Sequence, residues 1–326
     1  MRELEYSTVL SVAIIASWLV AFYAGNVSNE IGFIWSVFAL GTPLIPLVLG
    51  AASVISIGEI DLSVAGVYSL SGTMILFGAS LGISPYIVYI VSFFIICLVG
   101  LLMGFMVSET HISSIVLTLS VSFLLLGVSL LMDHVLLQES GLFLGQSDSA
   151  GIVNSDVVTR DLPSEYVLDI EEYGVLAAAS IIATVFWYVK VFTRWGLEHI
   201  AIGINEKSAL FASINIPPKK ITAFIVAAAM TYVSAIFHLN VVQSGGWSPR
   251  TGVGLELIGI TAAVIGGTRI TGGVLFPSSV VLATVLWESL EHLGRSLPFI
   301  GPETQQIASG VLLLAIAFLT HRNVHK

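Results

Sequence analysis

Apolar runs long enough to cross a bilayer, separated by short polar turns, occupy most of the chain. The first, Val9 to Ala24, follows the head MRELEYST. That head's two acids against one arginine, with no small-residue cleavage pattern closing the run, suit a retained helix rather than a leader. The second, Ile34 to Ile57, is broken at Gly41-Thr42-Pro43 and again at Pro46; such breaks kink a span and free backbone carbonyls. The turn Gly58-Glu59-Ile60-Asp61 leads to a third run, Leu62 to Leu81. Pro85 opens a fourth, to Met106, and after the polar turn 108–114 a fifth covers Ile115 to Met132. Beyond an acidic stretch at 133–172 come Tyr173 to Phe192, Ile221 to Val242, a short Leu255 to Ile265, Val274 to Leu290 and Ile307 to Leu319. At about 20 residues per span, the pattern predicts an all-α polytopic membrane protein of about ten transmembrane helices, some interrupted. They would form a single membrane domain over residues 1–326.

Composition agrees: 56% of the 326 residues are hydrophobic and 10% charged, against about a quarter charged in soluble domains. A cytosolic enzyme, a nucleic-acid binder and a disordered chain are excluded on that ground, and lipid is the expected surroundings. The net charge of −9 is concentrated at 133–172, where nine acids (Asp133, Glu139, Asp148, Asp156, Asp161, Glu165, Asp169, Glu171, Glu172) face the single base Arg160. With the N-terminus inside, the ten-span layout places Arg2, Lys190, Arg194, Lys207, Lys219, Lys220, Arg269, Arg322 and Lys326 in the cytoplasm. Only Arg160, Arg250 and Arg295 fall outside. This positive-inside bias predicts two cytoplasmic termini and an extracytoplasmic acidic loop.

Catalytic constellations are missing. Lys207-Ser208 lacks the glycines of a phosphate-cradling loop, and neither His-Glu-x-x-His nor Gly-x-Ser-x-Gly occurs. The chain therefore looks like a conduit, not an enzyme, with no cofactor or metal of its own. The segment 193–219 is too polar to span. Within it Asn205 is placed as an N-cap ahead of Glu206, and Ala209, Leu210 and Ile214 are spaced for one face of a short amphipathic helix. Packing on its own spans and docking to another subunit both account for that helix. Acids opening helices, Asp61 and Glu256, complement a helix N-terminus. They and Glu288, deeper in a span, are also candidates to border a polar path, with Ser63, Ser71 and Thr261. Helix packing by small residues is the competing explanation for the hydroxyls. No positively charged cluster lies within the spans, which disfavours an anionic solute such as a phosphate ester.

Three stretches resemble the permease subunits of ribose-type ABC importers. Gly203-x-Asn205-x-x-x-Ala209-x-x-x-x-Ile214-x-Ile216 is similar to their coupling region, Gly58-Glu-Ile-Asp61-Leu-Ser63-Val64 to their G-G-I-D-L-S-V motif, and Gly252-x-Gly254-x-Glu256 through Gly266-Gly267-Thr268 to their G-x-G-x-E-L-x-x-I-A-A-V-x-x-G-G-T segment. The order and spacing agree over most of the chain. The departures are Glu59 for a glycine, Ala212-Ser213 for a Ser-Gly pair, and Phe276-Pro277-Ser278-Ser279 after Gly272-Gly273. The resemblance implies import of a sugar or similar polar solute across a prokaryotic cytoplasmic membrane. It also implies two ATP-binding cassette subunits that hold ATP and magnesium and grip 193–219, a second permease copy or paralogue, and a solute-binding protein docking outside. A self-sufficient secondary transporter or channel, with Asp61, Glu256 and Glu288 as coupling acids, is the alternative.

Overall fold

A computed structural model of the chain describes residues 2–24, 30–110, 112–139, 172–241 and 247–296. The helices are α1 (Arg2–Ala24), α2 (Glu30–Gly41), α3 (Leu44–Ser56), α4 (Val64–Ser80), α5 (Pro85–Glu109), α6 (Ser114–Glu139), α7 (Glu172–Phe192), α8 (Arg194–Ile204), α9 (Glu206–Phe211), α10 (Ile216–Val241), α11 (Leu255–Ile265) and α12 (Pro277–Ser296). No β-strand pairing beyond an isolated bridge occurs among the described residues.

Helix α3 is the centre of the bundle. All of its residues are buried, so its continuously apolar sequence meets protein on every side. Helix α10 packs along it and also against α5 and α4, α11 packs on α3, α4 on α6, and α1 on α12. Helix α5 buries Val88, Ser92, Ile96, Gly100, Met103, Gly104 and Val107. That three-to-four-residue spacing turns one stripe inward and leaves Ile87, Phe94, Leu98 and Leu102 exposed for lipid. A Cβ at Gly100 or Gly104 would press on the α10 backbone at Phe224–Ile225 and Ile221, the close approach that small residues four apart permit.

Five helices are long and apolar enough to cross a membrane, within α1, α5, α6, α7 and α10, and a sixth span results if α2 and α3, bent by 46° at Thr42-Pro43, count together. The expectation of ten is therefore met only in part. Helices α4 and α11, with 17 and 11 residues, are shorter than a bilayer requires. Helix α12 carries Glu288, Glu291 and His292. The tenth run, 307–319, lies outside the described residues, as does 140–171 of the acidic stretch, whose first residues 133–139 continue α6.

Candidate functional site

One end of the bundle gathers the polar turns. The α3–α4 turn meets α6, where Ser114 Oγ accepts from Ile60 N at 3.3 Å and Thr118 Oγ1 from Leu62 N at 2.9 Å. It also meets α8 and the 266–276 turn. Ser56 O accepts from Gly273 N at 2.9 Å, and a Cβ at Gly203 would collide with both atoms. Only glycine lets α8 lie this close to the end of α3.

Helix α9 is built by local chemistry. Asn205 Oδ1 accepts from Ser208 N at 2.9 Å, closing its first turn. At its other end Ser213 N donates to Leu210 O at 2.9 Å and Ile214 N to Ala209 O at 3.1 Å, with Ser213 at φ 62°. This reverse-turn stop brings Ile214 back over Ala209, and both join an apolar cluster with Val54, Ile57, Ile202 and Phe224. Leu210 and Phe211 point the other way, 57% and 91% exposed, and Ile204 beside them is 70% exposed. Ala209 and Ile214 thus anchor the foot, while Leu210 lies about 100° round the helix from Ala209 and faces outward. Glu206 pairs with Lys220 Nζ at 3.2 Å.

Three features had no clear signal in the sequence. Lys220 also pairs with Glu59 at 2.8 Å, so the acid that departs from the glycine of the motif ties the α3–α4 turn to α10 and α9. Lys190, 2% exposed, lies 3.1 Å from His199 Nδ1 and 3.4 Å from Ser56 Oγ, over the Trp195 ring at 4.3 Å. It stands at the C-terminal end of α3, where the helix dipole favours a cation. Burial, with neighbouring Lys190 and Lys219 adding, pushes the His199 imidazole down to about 2. Elsewhere, Tyr68, His238 and Trp247 form an aromatic cluster between α4, α10 and the 247–252 stretch.

The six candidate path residues do not converge on one point. Asp61 Oδ1 accepts from Ser63 N at 2.8 Å and Ser63 Oγ at 2.6 Å, which fixes the turn just before α4; burial raises the Asp61 carboxyl above its usual range. Ser71 and Thr261 donate to carbonyls one turn back, Val67 O and Leu257 O. Glu256 Oε2 accepts from Gly254 N at 3.1 Å at the start of α11. Glu288, 3% exposed, pairs with His292 Nδ1 at 3.2 Å and backs onto Gly41 at the α2–α3 break. Among the described residues no group of three or more His, Cys, Asp or Glu side chains could hold a metal.

A broken buried span, helices with exposed apolar faces and a foot of short helices describe a multi-pass integral membrane protein. The chain belongs to the family described as "Branched-chain amino acid transport system / permease component", whose profile matches residues 33–317. Its relatives include the fructose import permease protein FruG of Bifidobacterium longum, 26% identical over 89% of this chain and 83% of the relative. The L-arabinose ABC transporter permease protein AraH of Azospirillum brasilense is 28% identical over 90% and 80%. The ribose import permease protein RbsC of Haemophilus influenzae is 29% identical over 70% and 66%. No solved structure matches the chain. The resemblance to ribose-type ABC importer permeases holds, and the chain is a permease subunit, with catalysis of ATP hydrolysis left to other subunits.

Proposed function

We propose that this permease carries a sugar or similar neutral polar solute inward across a prokaryotic cytoplasmic membrane, driven by ATP hydrolysed on two separate subunits that also hold the magnesium. Two permease copies, identical or paralogous, enclose the path. A solute-binding protein delivers cargo at the acidic 133–172 segment, whose charge steers the encounter. The ten-span layout with both termini cytoplasmic is part of this reading: the turns at 57–63, 190–220 and 266–276 meet at one end, as alternating in–out crossings require. Asp61, Ser63, Ser71, Glu256, Thr261 and Glu288 remain candidates for the path, with Glu288 favoured by its place at the span break.

The observation that carries the proposal is the foot. Ile204, Leu210 and Phe211 are exposed apolar side chains on short helices, and the same helices are fastened to α3 through Gly203, Lys190 and the Glu59–Lys220–Glu206 group. An exposed apolar patch on a rigid mount fits a partner that pushes on it. Leu210→Asp with Phe211→Asp is expected to cut co-purification with the ATPase subunit at least about tenfold while leaving the melting temperature of the permease in place. Retained assembly with full uptake would overturn the docking assignment.

A further inference from the structure

Tyr68 and Trp247 are 0% and 2% exposed and stack with ring centroids 5.3 Å apart at 23°. Among the described residues the Tyr68 hydroxyl and Trp247 Nε1 nevertheless have no hydrogen-bond partner, and both atoms are buried. Buried tyrosine and tryptophan normally find a partner for the polar end of the ring, and an orphaned pair needs a cause. His238 of α10 stands edge-on to both rings at 6.0 Å.

The mount of Trp247 is specific. Its indole rests on the bare backbone of Gly72, where a Cβ would fall inside the ring. Five residues on, Gly252 N donates to Ser69 Oγ at 3.2 Å, and a Cβ at Gly252 would collide with Ala65 O. Ala65, Tyr68, Ser69 and Gly72 form one face of α4, so the non-helical stretch 247–252 lies along the first half of that helix, from its first turn to its middle. Irregular backbone at such depth is tolerated where it is enclosed by protein or borders a cavity. His238 is within electrostatic reach of Glu288, which backs onto the break between α2 and α3.

We propose that Tyr68, Trp247 and His238 are the intramembrane contact site for a neutral monosaccharide, shut in this structure; the proposal rests on the importer reading above. A sugar ring offers C–H edges that pack on aromatic faces and hydroxyls that accept from indole N–H and exchange with a phenol. Entry of a sugar between the rings replaces ring-on-ring contact with ring-on-sugar contact and gives both orphaned groups partners. A zwitterionic amino acid would need a cation and an anion placed together. Of the three side chains of the cluster only His238 is basic, with Glu288 within electrostatic reach, and Arg250 of the 247–252 stretch is exposed.

The test uses the permease assembled with its ATPase subunits and binding protein in proteoliposomes, with radiolabelled D-ribose, L-arabinose and D-fructose as probes. Tyr68→Phe and Trp247→Phe keep the rings and remove the orphaned groups. Each is expected to slow uptake about tenfold, the loss of one solute hydrogen bond, with binding-protein-stimulated ATPase unchanged. The melting temperature should hold or rise, because an unpaired buried group is gone. Ser53→Ala, which removes another orphaned buried hydroxyl, is expected to leave uptake unchanged. Wild-type uptake in both aromatic variants, or slowed uptake that tracks a lower melting temperature, overturns the site. A wild-type complex that imports leucine and none of the three sugars sinks the parent reading instead.

Discussion

Lys220 is the residue on which the end of the bundle that carries the foot turns. Its Nζ meets Glu59 at 2.8 Å and Glu206 at 3.2 Å, with the Glu59 side chain 18% exposed and that of Glu206 53% exposed. Water screens the second pair far more than the first, so the Glu59 contact dominates. Lys220→Met should destabilise the permease by about 2 kcal/mol, the cost of a shielded carboxylate without its partner, whereas Glu206→Gln should cost about 0.5 kcal/mol or less; thermal melts in detergent check both. His199 gives a pH dependence. Its ring is held at about 2 in the fold against 6.5 ordinarily, so the unfolded chain takes the proton first as pH falls. The stability tied to neutral His199 is complete above 6.5 and is lost progressively toward about 2. Melting temperature should therefore drop as pH falls below 6.5, and His199→Gln should flatten the slope; an unchanged slope would contradict this burial.

At the scale of elements, the foot was legible wherever its cause was local. The Asn205 cap and the Ala209–Ile214 spacing are short-range devices, and both operate in α9. The break at Gly41-Thr42-Pro43 was equally plain, because proline withholds a donor from the helix ladder, and the bend follows there. What could not be read was anything built from distant partners: Lys190 under Trp195 at the end of α3, or Trp247 on Gly72. The short run Leu255 to Ile265 is α11 as the pattern places it, whereas the third run is three residues longer than α4, most of whose residues are buried and need not meet lipid along a full bilayer thickness. Ser213 shows a local rule in tension with its residue. It occupies the left-handed region at φ 62°, where a side chain costs energy that glycine does not. Ser213→Gly should stabilise the chain by about 1 kcal/mol. Gly203→Ala should instead cost about 1–3 kcal/mol, because its Cβ has no room between Ser56 and Gly273.

Across the whole molecule, the polar turns and the foot share one end, and the buried helix α3 runs from that end to the span break beside Glu288. On the proposed docking, a push on Leu210 and Phe211 would reach the middle of the membrane domain through packed, hydrogen-bonded elements, as the proposed alternating access needs. A chain with Cys97→Ser and Lys207→Cys should react with a membrane-impermeant maleimide only from the cytoplasmic face. The central claim is that the energy comes from outside this polypeptide, and reconstitution with and without the ATPase subunit tests it most directly. Uphill uptake should appear only with the ATPase subunit and ATP present. Uphill uptake by the permease alone, on an ion gradient, would contradict the account.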